Sequence, residues 1–237
     1  MIERVAFDGA VIELEDGLTV FVGANGSGKS EALRVVADAA RNTVQHPPAP
    51  VVSANNPPLI PWSLIPDSIG DDLMFIFPHI RGVERVRRVE GLGWDLILVD
   101  GDGGLAPIHD GSAVRLALGA LACAYSRRVC LLDGPEVGLH PAAVQRLMIR
   151  LSAIIAARKA QAVIATHSPD LLDACPWGSV RVFARGPHGL CVSRLDEHPE
   201  ADRWARMIFP GEFWGTVGED WPINAPEGAQ SEGSTWR

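Results

Sequence analysis

The sequence predicts an α/β domain built on a mainly parallel sheet flanked by helices, with a small antiparallel portion at its N-terminus. Three observations carry that expectation. Short, largely apolar runs recur at Leu18 to Val22, Val129 to Leu132 and Ala162 to Ala165, as strands covered on both faces require. Apolar residues between these runs repeat at the 3.6-residue spacing of amphipathic helices. A glycine-rich octapeptide, Gly23 to Ser30, joins the first buried run to the first helical repeat.

The chain opens with Val5 to Phe7 and Val11 to Leu14, which read as an antiparallel pair turning at Asp8-Gly9. The buried run Leu18 to Val22 follows, and Leu33, Val36, Ala37 and Ala40 give the next helix its apolar stripe. From Gln45 to Pro66 the residues Pro47, Pro48, Pro50, Pro57, Pro58, Pro61 and Pro66 forbid a long helix and favour loop structure. Arg81 to Glu90 alternates arginines with valines and fits either a short helix or an edge strand. Trp94 to Val99 reads as a strand ending in the turn Asp100 to Gly104, and Ser112 to Tyr125 as a buried helix rich in Ala and Leu. Pro141 suits the first position of a helix whose stripe is Val144, Leu147, Met148, Leu151, Ile154 and Ile155. Past Arg194 the pattern decays into an acidic stretch with Trp204, Trp214, Trp221 and Trp236. The expected division is therefore a main domain over 1–193 and an extension over 194–237, its last dozen residues disordered.

Composition narrows the function classes. With 237 residues, 47% of them hydrophobic, the chain can bury a sizeable core. It lacks an apolar run long enough to span a bilayer and opens without a secretory leader, so a soluble cytoplasmic protein is expected, with no membrane partner. Cys123, Cys130, Cys175 and Cys191 form no Cys-x-x-Cys pair and read as free thiols. A net charge of −8 argues against coating nucleic acid by bulk electrostatics, so any DNA contact is expected to be local or supplied by a partner.

The octapeptide carries the chemistry. Gly23, Asn25, Gly26, Ser27 and Gly28 allow backbone N–H groups to converge on phosphate oxygens, and the helix that follows aims its positive end at the anion. Lys29 is placed for the β and γ phosphates and Ser30 for Mg²⁺, which makes ATP and Mg²⁺ the expected cofactors. Val129 to Asp133 is an apolar strand ending in a carboxylate, as a buried strand holding an acid near that metal requires.

The segments Leu131-Leu132-Asp133-Gly134-Pro135-Glu136-Val137-Gly138-Leu139-His140-Pro141 and Ala165-Thr166-His167-Ser168-Pro169-Asp170 resemble the ABC-type P-loop ATPases of the SMC, RecF and OLD-like branch, in particular short AAA-type members. The resemblance spans about Val5 to Arg185. It implies an ABC-type nucleotide-binding domain in which His167 contacts the γ-phosphate and Asp133 joins Ser30 at the metal. It also implies an ATP-dependent dimer, homomeric or heteromeric, that drives a partner protein in processes such as DNA repair or phage defence.

Two positions depart from the family pattern. The glutamate expected directly after Asp133 to activate water is Gly134, which leaves Glu136 as the candidate base or the chain without one. The signature loop that would contact the nucleotide of an opposing subunit reads His109-Asp110-Gly111-Ser112. Asp110 there either repels the anion or caps the helix, and Ser112 is the candidate donor to phosphate. The resemblance therefore implies either a slow ATPase or an ATP-binding scaffold that needs a partner for hydrolysis.

Overall fold

The computed structural model describes residues 1–43, 51–53, 66–87, 94–100, 105–107 and 113–224. Strands β1 (Arg4–Phe7) and β2 (Ala10–Glu13) pair antiparallel, and Asp8 and Gly9 both take positive φ (49° and 82°) at the turn between them. β3 (Leu18–Gly23) feeds through the glycine-rich loop into α1 (Lys29–Thr43). β4 (Val52–Ser53) and α2 (Ile69–Ile76) follow, then a three-stranded antiparallel sheet of β5 (Ile80–Arg87), β6 (Trp94–Asp100) and β7 (Leu105–Pro107). The main body continues with α3 (Ala113–Ser126), β8 (Val129–Asp133), α4 (Pro141–Arg158), β9 (Gln161–Thr166), α5 (Pro169–Leu172), β10 (Val180–Gly186) and β11 (Gly189–Arg194). Three short helices complete it: α6 (Ala201–Trp204), α7 (Pro210–Val217) and α8 (Trp221–Asn224).

The main sheet has the order β11-β10-β3-β9-β8-β4, parallel except for β11, which folds back antiparallel on β10. Alternation along each strand divides the core into two layers. Val20, Val22, Cys130, Leu132 and Ile164 point to the face covered by α2 to α5, whereas Phe21, Leu131, Val163 and Phe183 point to the face covered by α1 and by β1 and β2. β8 is buried on both faces, which is why it reads as an unbroken apolar run.

Arg81 to Glu90, compatible with helix or strand in the sequence, lies in strand β5 as far as Arg87, paired with β6 from Ile80↔Asp100 to Arg87↔Trp94. The proline-rich stretch contains one regular piece that was not anticipated. Residues 51–53 carry no proline, so Val52 can bridge to Leu132 at the sheet edge, where it is fully buried. Residues 45–50 and 54–65 of that stretch, the turn at 101–104 and residues 225–237, including Trp236, lie outside the described residues.

Residues 195–224 pack on the same core as the main body. Leu195 and Phe213 are buried within it, and Trp204, Trp214 and Trp221 lie half-buried against it. The Phe213 ring packs tilted against Trp177 at 4.9 Å and meets His198 edge to face at 5.1 Å. Among the described residues no helix is long and apolar enough to cross a membrane.

Candidate functional site

The glycine-rich loop lies at the carboxyl end of β3, where its glycines meet different demands. Gly23 has φ +150°, and a Cβ there would run into the carbonyl oxygen of Phe183 on the neighbouring strand. Gly28 has φ +102° and lies under the Phe7 ring, whose Cε1 would be 3.0 Å from a Cβ. Ser27 and Lys29 are buried, Ser30 is half-buried in the first turn of α1, and Asn25 is exposed at the loop tip.

Lys29 Nζ donates to the carbonyls of Gly23 at 2.9 Å and Ala24 at 2.8 Å, and to Ser27 Oγ at 3.3 Å. These bonds hold the ammonium against the loop. Burial pushes its amine down to about 8, against the opposing pull of the Asp133, Glu219, Glu31 and Glu136 carboxylates. Asp133 is half-buried at the tip of β8, in register with Ala165 on β9 and Ser53 on β4.

Past Asp133 the chain turns sharply. Gly134 adopts φ +63° while its N–H donates to Ala165 O at 2.8 Å, and Val137 N closes the turn onto Gly134 O at 3.2 Å. The turn carries Glu136 toward β9. Glu136 Oε1 accepts from Thr166 Oγ1 at 2.6 Å and from the His167 N–H at 3.3 Å, whereas Oε2 is buried with no hydrogen-bond partner among the described residues. Thr166 Oγ1 in turn accepts from Ser168 N at 2.9 Å, and Ser168 Oγ caps α5.

The His167 imidazole is exposed at this strand end. Partial desolvation and the charge of Lys29 lower its pKa from the ordinary value, against the pull of Glu136, of the Gly23 backbone and of Asp133, so the neutral ring is favoured at pH 7. A neutral ring offers one N–H donor and one acceptor.

The fold thus gathers Lys29, Ser30, Asp133, Glu136 and His167 around the ends of three adjacent strands, β3, β9 and β8. Ser112 and Asp110 lie outside the described residues. The helix that follows them begins at Ala113, whose Cβ would lie 3.6 Å from a Cβ at Gly138, so its start adjoins the Gly134 turn. Three residues adjoining the candidate site were missed in the sequence. Thr166 was legible as the neighbour of His167, Arg185 only through its place at the end of β10 beside Gly28, and Glu219 carried no pattern at all.

Comparison with known proteins agrees with this architecture. Residues 98–173, the stretch that includes Asp133, Glu136 and His167, match the family model described as "AAA domain, putative AbiEii toxin, Type IV TA system". A stretch of 70 residues is 34% identical to Protein ea59 of Escherichia phage lambda, covering 30% of this chain and 13% of that protein's length. The SMC head domain from Thermotoga maritima superposes with a TM-score of 0.53 at 12% identity, over 78% of this chain and 92% of its own. An SMC head solved bound to the C-winged helix domain of ScpA superposes with a TM-score of 0.58 at 12% identity, over 77% of this chain and 91% of its own. A glycine-rich loop between strand and helix, an acid-tipped adjacent strand and these likenesses together give the chain the ABC-type, SMC-head-like P-loop fold.

Proposed function

We propose that the chain binds Mg-ATP and works as a slow, ATP-dependent switch that dimerises around nucleotide and drives a partner protein. The observation that carries this reading is the Glu136 carboxylate, fixed through one oxygen by Thr166 while the other is buried and unsatisfied among the described residues, its charge reaching Lys29. A buried carboxylate oxygen without a donor is costly, and a water bound there would satisfy it. The residues present fit the nucleotide: Gly23 to Ser30 would hold the phosphates, Ser30 and Asp133 the Mg²⁺, and His167 would donate to the terminal phosphate. The metal's part is to neutralise charge developing on the transferred phosphoryl group. Glu136 orients or deprotonates the attacking water, a contribution of roughly 10²- to 10⁴-fold in rate.

The Gly134 turn favours a second reading, a scaffold that closes on ATP and relies on a partner for hydrolysis, because it leaves no acid directly after Asp133. Phosphate release by wild type and Glu136→Gln separates the two. Turnover abolished by Glu136→Gln, with ATP still bound, marks an ATPase in its own right. Binding without release in the wild type marks the scaffold.

The partner is a second copy of this chain or a heteromeric ATPase subunit, together with an effector protein. The SMC head solved with a winged-helix domain supports a protein partner, and the toxin named by the family model together with the phage relative supports a setting in phage defence over DNA repair. A net charge of −8 supports protein over DNA as the direct contact.

A further inference from the structure

Residues 210–224 cross the end of the sheet at which the phosphate loop lies. α7 is anchored beside the chain leaving β9. The Gly211 N–H donates to Asp173 Oδ1 at 2.8 Å, and Gly211 lies so close to the Pro169 carbonyl that a Cβ would collide with it. α8 is anchored at the carboxyl end of β10, where Ile223 Cγ2 lies 3.1 Å from the place a Cβ on Gly186 would take. β3 lies between β9 and β10 in the sheet, so the connection Gly218-Glu219-Asp220 passes the end of β3 on its way from one anchor to the other.

Gly218 makes the turn out of α7 with φ +73°, and its N–H donates to Trp214 O at 2.8 Å. Glu219 is half-buried, and of the carboxylates acting on the Lys29 ammonium only Asp133 acts more strongly. On either side of this connection the indole N–H groups of Trp214 and Trp221 are buried and have no acceptor among the described residues.

We propose that Gly218 to Asp220 form a strap over the phosphate loop, in which Glu219 is a counter-charge to Lys29 that nucleotide phosphates displace. The proposal rests on the Mg-ATP reading above. A carboxylate and a phosphate compete for one ammonium, and a triphosphate carries the larger charge. The losing carboxylate is repelled, and because the strap is continuous with α7 and α8, its displacement transmits nucleotide occupancy to the tryptophan-bearing extension.

The test is the Mg-ATP affinity of the full chain and of Glu219→Gln, measured by calorimetry at low and high salt, with intrinsic tryptophan emission recorded alongside. Removing an opposing, partly exposed charge makes binding about 2- to 5-fold tighter at low salt, a gain that shrinks as salt screens it. Saturating Mg-ATP changes the emission of the wild type, and Trp221→Phe reduces that change. Unchanged or weaker binding in Glu219→Gln overturns the proposal, the weaker case making Glu219 a ligand of the metal or nucleotide, and unaltered wild-type emission at saturation overturns it as well. If the wild type binds no Mg-ATP, the nucleotide reading fails and the strap with it, a result recognisable because no variant comparison is then needed.

Discussion

Thr166 Oγ1 donates to Glu136 Oε1 across 2.6 Å, so the acid two residues beyond Gly134 is fixed by the residue next to His167. A neutral hydroxyl bonded to a buried carboxylate is among the stronger single hydrogen bonds, worth about 1.5–3 kcal/mol. Thr166→Val keeps the shape and removes the donor. Thermal unfolding is expected to show that loss, at roughly 2–4 °C per kcal/mol for a domain of this size, and Thr166→Ser is expected to restore it. Equal melting of Thr166→Val and wild type would mean the bond contributes nothing net.

Gly134 at φ +63° makes the vacant base position hard to refill. A glutamate there enters the left-handed region at about 1–2 kcal/mol, and its Cβ meets Val137 Cγ2 at 3.2 Å. Gly134→Glu is therefore expected to lower the melting temperature and leave phosphate release no higher than in the wild type. A gain in turnover at unchanged stability would show that the turn readily takes another form.

Lys29 gives the site a pH signature. Its folded pKa of about 8 is below the ordinary 10.5, so around pH 8 about half of the folded molecules carry a neutral amine. Phosphate favours the ammonium, so binding at pH 8 should take up about half a proton, and affinity should fall as pH rises further. Calorimetry in two buffers of different ionisation enthalpy measures the uptake. Without nucleotide the sign for stability is opposite: between about pH 8 and 10.5 the unfolded chain binds more protons at this lysine than the folded one, so its contribution to stability rises with pH.

Asp173 holds the start of α7 by accepting from the N–H groups of Gly211 at 2.8 Å and Glu212 at 3.3 Å. Asp173→Ala removes that cap at a cost of about 0.5–2 kcal/mol. Gly211→Ala should do more harm, since its Cβ collides with the Pro169 carbonyl. Limited proteolysis is expected to cut within 205–224 faster in both variants, and faster in Gly211→Ala. Unchanged cleavage would mean the extension is held elsewhere.

The parallel sheet was legible because its strands are buried on both faces and therefore read as unbroken apolar runs, as in Val129 to Leu132. The phosphate loop was legible because only glycine tolerates the positive φ at 26 and 28 and the contact at 23. Arg81 to Glu90 was ambiguous because a short run that alternates arginine and valine satisfies two periods at once, and pairing with β6 decides it. The path of Glu136 toward Thr166 was hidden because it depends on the direction of the Gly134 turn, which no pattern encodes. The extension beyond Arg194 was read as a separate piece because its helices are only a turn or two long. Their contacts with α5 and β10 come from tertiary packing and leave no periodic trace.

The most direct test of the account is calorimetric titration of Mg-ATP into the wild-type chain and into Lys29→Ala. Saturable binding by the wild type and its loss in Lys29→Ala, with the variant still folded, is the predicted result. ATP bound equally well by both proteins, or by neither, would contradict the assignment of Gly23 to Ser30 as the nucleotide site.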